Sequence, residues 1–306
     1  MSNTYQGLID KTLRLLTPTA VGMGINITTT YVINSATLVL DAASPVLPAV
    51  RPGVVLSCGL QVWYVLSVSG NTATVVPNYQ GSTSIGVTAN TGLASLVYVK
   101  PRFTQFDVAI AINDELDALS SPENGLGQIL STDVTYVPSF MGYALPSTFD
   151  NASSKVLEIS YKVPDPSRRF PLIRRDDYRV VRNQTDAAFP SGCGFITYKV
   201  AQAGLPMHVQ YLAPFSHLAA LTDDALTVGG VPVTAQDIIP MGVALRLAPD
   251  REIQRNSMSA QPDPRKGTEV PAGAIMGSAR VLEQRYLTRI SQEQERLVLS
   301  FPNARR

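Results

Sequence analysis

The chain holds only two cysteines and two histidines, the residues best suited to nucleophilic, general-base or metal chemistry. Cys193 lies in Ser191-Gly192-Cys193-Gly194, which superficially resembles a nucleophile turn. A reactive thiol needs a microenvironment that favours thiolate, and the simpler reading is a small apolar residue at the start of a glycine-rich strand. Cys58 falls inside a strand pattern. His208 follows Met207 in a predicted strand, and His217 sits in the loop-like Pro214-Phe215-Ser216-His217. As a general base each requires an oriented partner that the sequence does not name. Carboxylates cluster at Asp114-Glu115-x-Asp117 and at Asp223-Asp224. A glycosidase pair needs two such groups to converge in space, and the plainer reading is a solvated helix face and a turn. No phosphate loop, dinucleotide fingerprint, nucleophile elbow or adjacent-histidine zinc helix is present. Four Cys and His residues are also too few for a disulfide framework or a metal cage. The expectation is a protein with no catalytic residues, no cofactor and no metal.

Charge is more informative in its distribution than in its total. The 306 residues carry 25 Lys and Arg against 24 Asp and Glu, a formal net charge of +1, which is not the footprint of a dedicated nucleic-acid binder. Charged residues are 16% of the chain and hydrophobic ones 45%; the charged share is well below the roughly 25% usual for soluble domains, which points to large subunit interfaces. From Phe103 to Asp150 the acids Asp107, Asp114, Glu115, Asp117, Glu123, Asp133 and Asp150 occur without a single Lys or Arg. From Lys162 to Arg182 the bases Lys162, Arg168, Arg169, Arg174, Arg175, Arg179 and Arg182 face only Asp165, Asp176 and Asp177. Arg168, Arg169, Arg174 and Arg175 read as an intersubunit patch, because the guanidinium fork pairs with carboxylates. A solvated strand edge guarded by cations and a phosphate contact are the other readings. No secretory signal and no apolar run of about 20 residues is visible, so no membrane partner is expected and synthesis belongs in the cytoplasm.

The elements that must position these residues follow from hydrophobic period. Tyr5, Leu8, Ile9, Leu13 and Leu16 predict an amphipathic helix over Thr4–Leu16 ended by Pro18. Short β-branched runs follow at Ile25–Ile33, Ala36–Leu40, Val54–Cys58, Gln61–Val68, Thr72–Val76 and Ala94–Val99, a barrel-like block over 20–101. Within it Ser69-Gly70-Asn71 marks a tight hairpin. Phe103–Leu119 predicts a helix striped by Val108, Ile112, Leu116 and Leu119, with Thr104 as N-cap and Asp107 in the capping-box position. A second β block, sandwich-like, spans 128–232 with strands at Thr132–Val137, Val156–Val163, Tyr178–Val181, Phe195–Ala201 and Met207–Leu212. Thr234 is expected to cap a helix over Ala235–Leu247, Ser257–Val270 has linker composition, and a last helix runs from Pro271 to about Leu299. The predicted class is α+β, a discontinuous helical bundle carrying two antiparallel β insertions and a long C-terminal helix. Its segments are an N-terminal core helix (1–19), the first β insertion, a core helix (102–127), the second insertion, a core helix (233–256), and a linker with C-terminal docking helix (257–306).

The order of segments resembles a known family. The run Val62-Trp63-Tyr64-Val65-Leu66-Ser67-Val68-Ser69-Gly70-Asn71-Thr72-Ala73-Thr74-Val75-Val76, continued by Pro77-Asn78-Tyr79-Gln80-Gly81-Ser82-Thr83, resembles a hairpin-and-turn motif of tailed-bacteriophage structural proteins. The join from Val97-Tyr98-Val99-Lys100-Pro101-Arg102-Phe103 to Ala111-Ile112-Asn113-Asp114-Glu115-Leu116 is similar to phage neck proteins. Gln236 to Leu247, then Arg251-Glu252 and a long Arg/Glu-rich helix, is similar to the end of head-to-tail connector (adaptor) proteins. The resemblance implies a non-enzymatic virion protein, assembled in the host cytoplasm. It implies a ring, of twelve copies, that joins the portal to a tail or gatekeeper protein and lets double-stranded DNA pass. Ile275, Leu282, Tyr286, Ile290, Leu297, Arg280, Arg285 and Arg289 would form the portal-docking face. The acidic residues Asp107, Asp114, Glu115 and Asp117 would face the channel, where negative walls discourage sticking of phosphates. A tail-tube, tail-terminator or baseplate protein is the alternative. A carbohydrate-binding tail module built on Trp63 and Tyr64 is a further one, disfavoured by 7% aromatics.

Overall fold

A computed structural model describes residues 3–16, 23–82, 96–140, 142–162, 171–198, 204–259 and 274–301. It is mixed α+β: helices α1 (Tyr5–Leu16), α2 (Gln105–Ser120), α3 (Ile238–Ser259) and α4 (Ala274–Ser300) alternate with antiparallel sheets. Contacts group the chain into two units. The first holds Gln6–Asn113 and Val243–Ile275, and the second holds Met1–Tyr5, Asp114–Gly242 and Met276–Arg306.

The first unit is built on β1 (Met23–Ile25), β2 (Thr37–Val39), β3 (Val55–Cys58), β4 (Gln61–Ser69), β5 (Thr72–Val76) and β6 (Val97–Val99), in the order β1-β6-β3-β4-β5-β2. Every pairing is antiparallel. The two edges meet at one bridge, Ile27 with Leu40, flanked by Thr28 N–H to Val39 O (3.0 Å) and Asp41 N–H to Asn26 O (2.9 Å). A single bridge is not a ladder, so among the described residues the barrel-like block is an open sheet rather than a closed barrel. Gly70 takes φ +61° in the β4–β5 turn, the conformation that the Ser-Gly-Asn signal requires. The run expected as one strand over Ile25–Ile33 stops early: Tyr31 turns inward, its hydroxyl donating to Ser35 O at 2.8 Å, and Asn34 adopts φ +63°. Trp63 is fully buried, edge-on to Tyr31 with ring centroids 5.1 Å apart, among Leu56, Val65, Val75 and Val97. α1 buries Leu8, Ile9 and Leu16 as its period predicts. α2 opens on the expected capping box, with Asp107 N–H donating to Thr104 Oγ1 (2.9 Å) and Thr104 N–H to Asp107 Oδ2 (3.1 Å).

The second unit packs two sheets around one core. β10 (Leu172–Ile173), β9 (Lys155–Tyr161), β13 (Pro206–Ala213) and β7 (Gln128–Thr135) form one sheet in that order. β11 (Tyr178–Val181), β12 (Gly194–Thr197) and β8 (Gly142–Ala144) form the other. Tyr143, Phe149, Phe195, Val209 and Tyr211 share the space between them, with Tyr143 stacked on Phe195 at 5.3 Å. β7 begins at Gln128, four residues before the predicted start, and from that residue on its side chains alternate between half-buried and exposed. β12 starts one residue before Phe195, and residues 199–201 of the predicted strand lie outside the described residues. The expected cap at Thr234 is corrected: α3 starts at Ile238, and the Thr234 hydroxyl donates instead to Glu293 Oε2 at 3.2 Å. α3 also continues to Ser259, past the expected helix end at Leu247 and into the linker-like stretch, while 260–273 lies outside the described residues.

Candidate functional site

The resemblance to connector proteins leads to the expectation of a docking helix at α4, and in the second unit one face of that helix packs within the chain. Tyr286 donates its hydroxyl to Glu115 Oε1 at 2.6 Å, and Glu115, on α2, is 2% exposed. The carboxyl group lies over Gly242, where an added Cβ would stand 2.0 Å from Oε1, so only glycine fits there without displacing Glu115. One turn further Ile290 is buried. Arg289 grips both carboxylate oxygens of Asp237, Nε to Oδ2 at 2.8 Å and Nη2 to Oδ1 at 3.0 Å, and donates to Thr234 O at 2.6 Å. The Asp237 hydrogen bonds raise the Arg289 pKa above its ordinary value. Glu293 is buried too, held by Arg296 Nε at 2.7 Å and Arg289 Nη2 at 3.5 Å. Gln294 donates to Asn124 O at 2.7 Å, and Leu297 with Phe301 packs on Leu157 and Leu212.

These contacts divide the predicted docking set. Tyr286, Ile290, Leu297 and Arg289 of the expected portal-docking helix make contacts within the chain's own fold. Leu282 is half-buried, and Ile275 lies in α4 with its side chain outside the described part. Arg280 and Arg285 remain exposed, joined by Val281 and Leu287 at 52% and 57% exposure. A groove of about 430 Å³ runs along this side, lined by Asp237, Met241, Val281, Gln284, Arg285, Thr288 and Arg289.

The acidic set divides in the same way. Glu115, one of the residues expected to face a channel, is buried, and its carboxyl serves the α4 seam. Asp107 is a helix cap, and Asp114 and Asp117 are exposed, with Asp117 Oδ1 2.8 Å from His217 Nε2. Of the basic patch, Arg174 and Arg175 are exposed beside β10, whereas Arg168 and Arg169 lie outside the described residues. Arg182 takes no part in a surface patch. It donates to the carbonyls of Asn151 and Ser154 and lies 5.5 Å above the Phe149 ring.

The residues screened for chemistry are placed as packing and surface groups. Cys193 and Cys58 are buried, and burial pushes both thiols up, Cys58 to about 11, away from thiolate. His208 Nδ1 is 2.7 Å from Asp133 Oδ1, whose other oxygen receives Lys162 Nζ at 2.7 Å. These two hydrogen bonds, that from Lys162 first, hold the Asp133 carboxyl below the usual range. Trp63 is fully buried, which removes it as a sugar-stacking platform; Tyr64 stacks on Tyr79 at 5.1 Å. Among the described residues no group of three or more His, Cys, Asp or Glu could hold a metal ion, and no helix is long and apolar enough to cross a membrane. Sequence periodicity picks out Tyr286, Ile290 and Leu297 of this seam, whereas Glu293, an acid on the same face, reads as an interruption until its partners are seen. No protein-family model matches the chain, and no curated protein matches it.

Proposed function

We propose that the chain is a structural protein of the neck of a tailed bacteriophage, a head-to-tail connector that forms a ring between the portal and a tail or gatekeeper protein. In this reading the helices make a discontinuous core with two β insertions, twelve copies close the ring, and DNA passes through it without being bound. The observation that carries the reading is the two-sided character of α4. One face is pinned to the second unit through Tyr286, Ile290, Arg289 and Glu293. The opposite face offers Arg280, Val281, Arg285 and Leu287 to a partner. An amphipathic helix held this way presents a preformed surface, and binding then costs little ordering entropy. The low content of charged residues, 16%, supports extensive protein contact rather than a solvated monomer.

Native mass spectrometry of the full chain mixed with portal rings from the same genome tests the reading. The expected result is capture of a fixed number of copies, twelve. Arg280→Glu with Arg285→Glu, placed on the exposed face only, is expected to weaken capture about tenfold or more, since reversing rim charges opposes a complementary partner. No capture of the unaltered chain at any ratio would overturn the neck assignment and move the protein to the tail tube, tail terminator or baseplate.

A further inference from the structure

The sheet of the first unit lies in a stretch of chain almost free of charge. From Leu15 to Val99 the only charged side chains are Asp41 and Arg51, where the chain's average of 16% would give about a dozen. Both belong to the connection between β2 and β3, and both are turned to their own loop. Asp41 Oδ1 accepts the Ala43 N–H at 3.0 Å, and Arg51 Nε donates to Pro48 O at 3.0 Å. Elsewhere around the described sheet the exposed polar positions are filled by Asn26, Thr28, Thr29, Thr30, Thr37 and Ser67. Charged side chains ordinarily keep a protein surface solvated and apart from its neighbours, and their depletion is the compositional mark of an interface core.

The same surface turns aliphatic side chains outward. Val32 and Ile33, adjacent in one turn, are 68% and 55% exposed, and Leu66 on β4 and Val76 at the end of β5 are 53% and 39% exposed. The turn is fixed in shape. Ser35 N–H donates to Val32 O at 3.0 Å, and the Tyr31 hydroxyl holds Ser35 O from the core side. Asn34 Oδ1 accepts Asn78 Nδ2 at 3.0 Å, which ties the turn to the chain two residues beyond Val76. A surface of short side chains on a fixed turn loses little conformational freedom when it is covered.

The absence of charge selects what covers it. Duplex nucleic acid is held by several cations acting together, and this stretch offers Arg51 alone. A protein surface bearing Lys, Arg, Asp or Glu would bury those groups with no opposite charge to meet, which is strongly unfavourable. The covering surface is therefore uncharged as well, and the chain itself supplies one: a second copy brings the same stretch, with no like charges to repel it. We infer that the sheet of the first unit packs against the same unit of a second copy, with Val32 and Ile33 in the contact. The inference needs no part of the portal assignment, which concerns α4.

Sedimentation velocity of the full chain over a concentration series, with hydrogen exchange of the amides in 26–37, tests it. The expected result is concentration-dependent association accompanied by slower exchange in that stretch. Ile33→Lys and, in a separate chain, Ile33→Glu should each weaken association about tenfold or more, because a charge of either sign is buried without a partner. Equal loss with both signs is the signature of an uncharged covering surface, since a charged one would reject one sign and accept the other. Leu226→Lys, at a position 43% exposed in the second unit, should change association by less than about twofold. Unchanged urea midpoints of the variants show that folding is not the cause. A chain that stays monomeric at every concentration, association that neither Ile33 change alters, or association strengthened by one of the two signs overturns the inference. Association through this surface with no capture by portal rings would count against the neck reading alone.

Discussion

Glu115 shows how far a side chain's setting can depart from what its neighbours in sequence suggest. It sits in an Asp-Glu-x-Asp run that reads as a solvated acidic face, and its two companions are exposed, yet it is 2% exposed and receives the Tyr286 hydroxyl. Tyr286→Phe removes that donor and is expected to cost about 1–3 kcal/mol of stability, the usual penalty for leaving a buried acceptor short of its partner, read from urea unfolding midpoints. Glu115→Asp, which withdraws the carboxyl by one methylene, should lower the midpoint in the same direction. Asp150 is a second carboxylate whose role is local: it accepts from Ser153 Oγ and Ser153 N at 2.6 Å each and from Ala152 N at 3.0 Å. The Ser153 side chain, then the Ser153 N–H, lowers its pKa. A group whose folded pKa is depressed stabilises the fold fully above its unfolded value, roughly pH 4, and loses that contribution as pH falls through the lower folded value. Asp150→Asn should therefore be less stable than the parent by about 1 kcal/mol at neutral pH, the scale of a capping interaction. The two proteins should converge as urea titrations are carried to acid. The chemistry-bearing residues are legible one by one, as packed thiols and hydrogen-bonded histidines. Glu115 is not, because its partner is 171 residues away in sequence.

Elements defined by their own periodicity can be read from the chain, and elements defined by distant partners cannot. α1, α2 and the β4–β5 hairpin carry local signals that agree with the structure: a 3.6-residue stripe, a capping box, a glycine at positive φ. The start of α3 is displaced because Thr234, an excellent N-cap by type, spends its hydroxyl on Glu293 of α4. β8 and β10 carry three and two residues and have almost no pattern of their own. For α4 the two faces should respond differently to substitution. Ile290→Ala is expected to destabilise by about 2–5 kcal/mol, as for other large-to-small changes in a core. Leu287→Gln, on the exposed face, should stay within about 0.5 kcal/mol in the same unfolding assay. Equal sensitivity at the two positions would mean that the outer face is also packed against something in solution. Removing Pro271–Arg306 is a poor probe of docking for the same reason: it strips the cover from Leu157 and Leu212 and deletes the partners of Glu115 and Asp237.

The whole molecule combines near-neutral charge with strong segregation of that charge along the chain, and the two properties have opposite consequences for contact with duplex DNA. A surface that binds duplex DNA displaces counterions with several cations at once, and its affinity falls steeply with salt. Here the net charge is +1 and the exposed cations that could act together, Arg174 and Arg175 with Arg179, follow one another beside β10 and in β11. Asp176 and Asp177 follow the first two directly, and the exposed Asp114 and Asp117 repel phosphates elsewhere on the surface. The full chain is therefore expected to show no measurable binding to a duplex of a few helical turns near physiological salt, by fluorescence anisotropy. Any attraction should emerge only at low salt. Arg174→Glu with Arg175→Glu separates the two roles open to these side chains. Loss of self-association with no change in DNA affinity assigns them to the subunit contact. A fall in DNA affinity, with a salt dependence shallower by about one to two phosphate contacts, would instead make them phosphate ligands.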